Sequence, residues 1–242
     1  KGTFLKENYH LKNLKPSLSH PFGTDELGRE IFAGVWQGGR TSLILGIVIA
    51  FINLTIGMIY GGICSYYGGL TDDILMRVIE ILMNIPLLVV VVLMNLILGR
   101  SVLTFVVAMS ISGWCNIARI IRGQLIQQKE QEYILAARAL GASTSRIISM
   151  HLMRNIISIA IVTITLEIPS VILTETVLSF IGFGSSLLSW GRLFYGAAFS
   201  LNFYPYQVFL PALIISTTIV CFNTLGDALR DAFNPHEVVI KK

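Results

Sequence analysis

The chain has 242 residues, of which 54% are hydrophobic and 13% charged, with a formal net charge of +4; an ordinary soluble domain carries roughly 25% charged residues. With a mean hydropathy of +0.71, the composition excludes a water-soluble globular fold, because a chain of this length cannot bury that much apolar surface within itself. The lipid bilayer is then the solvent, and apolar runs of about 20 residues call for helices, whose backbone groups pair internally.

The first 40 residues read as an external or interfacial segment, and 41–242 as the transmembrane domain. Within the first segment, HPFGTDELGREIF at 20–32 places Asp25 and Glu26 near the start of a predicted short helix, where negative charge is favoured. It is a candidate closure of an outer mouth or contact for an external protein, with a structural cap at the membrane surface as the alternative. Five spans follow by length and hydropathy: Thr41 to Cys64, Val78 to Leu98, Val102 to Ala118, Ile156 to Ile181 and Tyr206 to Gly226. Pro86 and Pro169 interrupt two of them, which predicts kinks beside a packed or wet interior.

Lys and Arg set the orientation. Between spans three and four stand Arg119, Arg122, Lys129, Arg138, Arg146 and Arg154, and the tail at 227–242 adds Arg230, Lys241 and Lys242; the facing loops hold only Arg100 and Arg192. The loop at about 124–152 and the tail are therefore expected on the cytoplasmic side. An odd span count puts the six basic residues of the first segment outside, and the chain begins on Lys rather than Met, so an upstream span or signal is expected.

Chemistry-bearing clusters are sparse. Cys64, Cys115 and Cys221 fall in or beside spans and read as packing, while His10, His20, His151 and His236 lack ligand spacing. The sequence contains no GxxxxGK[ST] loop, no catalytic triad and no paired carboxylates at a usable spacing, which points to a non-enzymatic role without a metal or cofactor. Three acids lie within spans, where an ionisable side chain is costly unless it faces the bundle interior or a partner. Glu80 has Arg77 three residues earlier and reads as one half of a pair on a helix face. Glu175, with Thr174, Thr176 and Ser179, is either the lining of a wet path or an interhelical hydrogen-bonding group; Glu167 stays open between the two. After Gly226, Asp227, Arg230 and Asp231 have helical pairing distances and read as an anchor.

The polar stretch EYILAARALGASTSR at 132–146 is out of place between apolar runs. Tyr133, Ala136, Ala137 and Leu140 share one narrow helix face, Gly141 can end that helix in a left-handed conformation, and Ser143 can cap a second short helix carrying Ile147, Ile148 and Leu152. Small side chains on an exposed face let a partner's groove approach closely, and Arg138 and Arg146 offer charge for register; a loop helix lying on its own bundle is the alternative.

LAARALGASTSRII followed by HLMRN resembles the EAA loop of the membrane subunits of ATP-binding cassette (ABC) importers. HPFGTDELGREIF, ILTETVLSFIGFG at 172–184, SWG at 189–191 and FNTLGDALRDAFNP at 222–235 extend the similarity to the "C" type permease of the dipeptide, oligopeptide and nickel importers, from about residue 20 to 235. The resemblance implies an all-α type I importer fold in the bacterial cytoplasmic membrane. It implies a homologous second permease, two cytoplasmic ATPases that carry ATP and Mg2+, and an external solute-binding protein, with no role for nucleic acid. On this reading Ala136, Ala137 and Gly141 form the contact and turn of the ATPase-coupling helix, flanked by Glu132 and Arg138. Leu135 stands where the family commonly has the first Glu of its motif, Arg154 where a Pro is common, and SSLL before Trp190 is a shorter link. The cargo implied is a di- or oligopeptide, with nickel or a metal chelate as alternative. A proton-coupled secondary transporter using Glu167 or Glu175 is the alternative of another class; it predicts inverted repeats, which are not visible in the sequence.

Overall fold

The computed structural model describes residues 6–141 and 153–233, with the side chains of 135, 138 and 153–155 left aside. Among them the helices are α1 Ile31–Tyr67, α2 Gly69–Met83, α3 Leu87–Leu98, α4 Val102–Ser110, α5 Trp114–Lys129, α6 Glu132–Ala139, α7 Met153–Phe180, α8 Trp190–Ala198 and α9 Tyr206–Phe233. The described residues contain no strand, only an isolated bridge between Thr24 and Glu30.

Among the described residues, four helices or continuous helical stretches are long and apolar enough to cross a membrane: α1, α4 with α5, α7 and α9. The second expected span, Val78 to Leu98, begins earlier, at Gly69, and is broken: α2 and α3 meet at a 78° bend. The cause is local, since Pro86 offers no N–H and disfavours helical geometry at Ile85. Upstream, α1 stops because Gly68 and Gly69 both take positive φ, +63° and +51°, which only glycine adopts without strain. Pro169 lies inside α7, and Pro211, not noted in the sequence reading, lies inside α9.

Several boundaries differ from expectation. The first span begins at Ile31, ten residues early, so the end of the N-terminal segment is helical. The short helix expected at Asp25 and Glu26 is absent. Instead the Asp25 Oδ1 accepts from the Leu27 and Arg29 amides, each at 2.9 Å, and its Oδ2 pairs with Arg29 Nε at 2.7 Å. An aspartate that satisfies its own downstream amides makes a turn in place of a helix start, and Gly28 completes it at φ +71°. The α5 helix runs to Lys129, into the segment expected as loop from about 124.

The chain forms two compact units. The first comprises Lys1–Val48, Leu88–Ala108 and Ile168–Asn223; the second comprises Ile49–Leu87, Met109–Glu167 and Thr224–Lys242. In the first unit Ile172, Trp190 and Ile215 form a core with Leu43, Ile168, Leu193 and Phe194 around it. In the second, Leu54 of α1, Ile117, Ile121 and Leu125 of α5, Ile134 of α6 and Ile156 and Ala160 of α7 pack together. Helices approach closely there because α1 presents glycine: a Cβ on Gly57 would lie 2.8 Å from Ile117. The outward surfaces stay apolar, and only 11% of the best apolar window of α9 is buried within the chain, as expected of a helix solvated by lipid or covered by another subunit.

Candidate functional site

A helix is present where the sequence predicts one, as α6, following a turn at Glu130 and Gln131. Glu132 sits in its first turn, where the helix dipole favours a negative charge. Ile134 is fully buried and fastens α6 to the core of the second unit. Ile134 lies off the face of Tyr133, Ala136, Ala137 and Leu140, and an isoleucine in that place is the one sign of the anchor in the sequence. With Ile134 inward, Ala136 is exposed, Ala137 is half-buried, Tyr133 is 43% exposed and Leu140 is 89% exposed. A helix whose end offers a nearly bare leucine beside alanines leaves apolar surface outward. Gly141 ends it at φ +81°, and among the described residues no atom lies within 4 Å of where a Cβ would stand. Glycine suits that position by its conformation. The side chain of Arg138, Arg146 and the second short helix with Ser143, Ile147, Ile148 and Leu152 lie outside the described residues.

Of the four proposed path residues, Glu175 and Ser179 come together in the first unit. Glu175 is fully buried on α7 and accepts hydrogen bonds from Ser42 Oγ of α1 at 3.1 Å and Ser179 Oγ at 2.6 Å. Ser42 Oγ in turn accepts from the Trp190 amide at 3.2 Å, and Trp190 Nε1 donates to the Val35 carbonyl at 2.8 Å. The carboxylate thus ties α7 to α1 and, through Ser42, to the start of α8. Thr174 donates to the carbonyl of Ser170 on its own helix. Glu167 pairs in the second unit with Asn53 of α1, whose Nδ2 donates at 3.4 Å. Asn53 was not anticipated, although a lone asparagine inside a span is a visible signal.

Replacing Glu175 by Gln keeps its shape but turns one hydrogen-bond acceptor into a donor, so one serine hydroxyl loses its acceptor. The expected cost is about 1 kcal/mol, read as a small loss of thermal stability in detergent, with uptake per folded subunit within about twofold of wild type. A large fall in uptake per folded subunit at normal stability gives Glu175 a role in transport itself.

Two polar links in the second unit were not legible in the sequence. Arg122 of α5 holds Asp72 of α2 with both its Nε, at 2.5 Å, and an Nη. Lys129 Nζ donates to the carbonyl of Ser65 near the end of α1. The expected pair of Arg77 Nη1 with Glu80 Oε2 is present at 2.7 Å. Asp227, Arg230 and Asp231 lie in the last turns of α9, and no ion pair among the described residues joins them. Cys64 and Cys115 are buried, whereas Cys221 is exposed on α9. Among the described residues no three His, Cys, Asp or Glu side chains are grouped so as to hold a metal ion.

Residues 53–238 match the family described as "Binding-protein-dependent transport system inner membrane component". The oligopeptide transport system permease protein OppC of Bacillus subtilis is 43% identical over 239 residues, covering 96% of this chain and 78% of the relative. The dipeptide transport system permease protein DppC of the same organism is 44% identical over 234 residues, with coverage of 96% and 73%. The OppC protein of Escherichia coli is 39% identical, with coverage of 90% and 73%. In structure the chain is similar to inward-facing MetNI methionine ABC transporter coordinates, with a TM-score of 0.66 at 18% identity over 84% of this chain and 95% of that one. A crystal structure of an amino acid ABC transporter gives the same TM-score at 19% identity, over 81% and 92%. At these identities the structural likeness establishes the fold, the type I importer permease arrangement.

Proposed function

Because this chain belongs to the family of binding-protein-dependent transport inner-membrane components, and to its C-type peptide permease branch, we propose that it forms one half of the path by which an ABC importer carries di- or oligopeptides inward. It is a multi-pass membrane protein of the bacterial inner membrane. The single observation that carries the peptide assignment is identity above 40%, over nearly the whole chain, to permeases named for oligopeptide and dipeptide transport. Nickel or metal-chelate cargo is not better supported.

In this reading the chain performs no hydrolysis. A second, homologous permease completes the path, two cytoplasmic ATPases bind ATP and Mg2+, and an external solute-binding protein delivers the peptide. Glu132, Tyr133, Ala136, Ala137, Arg138, Leu140, Gly141 and Arg146 are the coupling set, with α6 seated in a groove of one ATPase. The exposure of Leu140 and Ala136 supports this role, since a partner's groove removes that apolar surface from water. The anchoring of Ile134 supports it as well: motion of the ATPase reaches α1, α5 and α7 through one packed cluster. Glu167, Thr174, Glu175 and Ser179 remain the proposed polar residues of the path half. Glu175 and Ser179 act there by holding α7 to α1.

The test is uptake of a labelled peptide into proteoliposomes holding this chain, its permease partner and the ATPases, with the binding protein outside. Uptake that needs ATP inside and continues without a proton gradient is expected. Uptake by this chain alone, collapsing with the gradient, overturns the reading.

A further inference from the structure

Arg100 and Arg192 are the only basic residues in the two loops expected to face away from the cytoplasm, and the fold brings both to one cavity of the first unit. The cavity measures about 380 Å3 and is completed by Ser179, Ser185, Tyr195 and the loop 181–184. That volume lies in the range of small-ligand sites. Its loop wall is held in place: Phe183 N–H donates to the Leu178 carbonyl at 2.8 Å, and Asn95 Nδ2 donates to the Phe183 carbonyl at 3.2 Å. The Arg100 guanidinium stands over the Phe183 ring, 5.9 Å from its centroid.

The lining of this cavity is basic. No Asp or Glu lines it, and neither Arg100 nor Arg192 belongs to any of the four ion pairs among the described residues. Glu175, behind Ser179, already accepts two hydroxyl hydrogens and faces the serines. Arg192 also borders a neighbouring cavity with Asp25, which pairs with Arg29, and with Glu26, which accepts from Ser200; neither acid lines the cavity of Arg100 and Ser185. A further observation is independent of the arginines: Ser185 is 3% exposed, and its Oγ has no hydrogen-bond partner among the described residues. A buried hydroxyl without a partner costs free energy unless a ligand supplies one. Two guanidinium forks and an idle hydroxyl in one concave site suit a planar, negatively charged, acceptor-only group, which is a carboxylate.

We infer that this cavity is a transit site for the C-terminal carboxylate of the peptide cargo, formed by Arg100, Arg192 and Ser185; the inference rests on the peptide-importer reading. The obligatory anion of any peptide is its terminal carboxylate, and holding it at two arginines orients the chain as it enters this half of the path. The site discriminates free peptides from blocked ones, in addition to whatever selection the binding protein imposes.

The experiment compares ATP-driven uptake of one peptide as free acid and as C-terminal amide, in proteoliposomes holding the complete transporter. Wild type is set against the Arg100→Gln/Arg192→Gln double variant, with the same binding protein loaded to saturation. The binding protein is unchanged, so any change in the acid-to-amide ratio belongs to the permease. The ratio is expected to fall about tenfold in the double variant, as loss of charge-assisted hydrogen bonds predicts, while amide uptake stays within about twofold. Ser185→Ala shifts the ratio in the same direction by a smaller factor, and Arg192→Lys retains part of the preference. An unchanged ratio overturns the site. Equal loss of both forms also overturns it, and assigns the arginines to docking of the binding protein or to folding, according to whether binding-protein-stimulated ATP hydrolysis or the yield of folded complex falls. Import of neither form by wild type overturns the peptide reading itself and this site with it.

Discussion

Gly141→Val is expected to reduce ATP-dependent uptake to background while the chain still inserts and assembles in the membrane. Among the described residues nothing lies within 4 Å of an added Cβ, so the effect expected here does not rest on steric crowding. It is conformational: φ at Gly141 is +81°, and a β-branched residue in that region costs about 1 to 3 kcal/mol. The chain relieves this cost by unwinding or redirecting the end of α6, where Leu140 and Ala136 are exposed. Because the change falls at the exposed end of α6, beyond its buried anchor Ile134, the global fold tolerates it; a docking surface whose exit turn has moved does not. Gly141→Asn is the control, since asparagine enters the left-handed region more readily, and it is expected to retain a substantial part of the uptake. Uptake is measured per complex recovered by affinity purification, which separates failed coupling from failed assembly. Full uptake by the valine variant shows that the turn carries no coupling.

The second large effect is expected at Arg122→Leu, and it falls on stability. Arg122 reaches Asp72 through two nitrogens, and the side chains are 29% and 10% exposed. Removing the arginine leaves a largely buried carboxylate without a countercharge, which costs about 3 to 5 kcal/mol for a pair of this kind. The predicted result is a steep loss of folded protein and a lower unfolding temperature in detergent. The double replacement Asp72→Leu/Arg122→Leu is expected to recover most of the loss, because an apolar pair leaves no unpaired charge. A double variant as unstable as the single one shows that the arginine acts through packing of its stem against α5 and α2.

The spans were legible because lipid imposes a length and a polarity on every crossing segment, and the run from Val78 to Leu98 even showed its own break at Pro86. Their ends were less legible. Asp25 and Glu26 look like the first turn of a helix, yet Asp25 spends its carboxylate on the Leu27 and Arg29 amides, and Gly28 takes positive φ. Backbone choices of this kind depend on which hydrogen bonds close first, and composition does not report them. Gly141 was legible, since a glycine after an alanine-rich helical face has few other uses. Ile134, the residue that fastens that helix, was not, because its burial depends on Leu54 and Ile156, far away in the sequence. The same holds for polar partners. Glu175 announces itself as an acid within a span, but its hydrogen bond to Ser42 spans 133 positions, and the pair of Arg122 with Asp72 spans 50. Arg100 and Arg192 were visible as isolated charges in separate loops, and only folding places them on one cavity.

If α6 seats in a nucleotide-driven partner, as proposed, site-directed crosslinking captures the contact. A single cysteine is introduced at Leu140 or Ala136 after Cys221, the exposed native thiol, is replaced by Ser. In the active, reconstituted transporter these positions are expected to crosslink to the ATPase subunit, with a yield that changes as ATP is bound and hydrolysed. Crosslinks confined to this chain or to lipid, in a complex that still imports peptide at the normal rate, contradict the account.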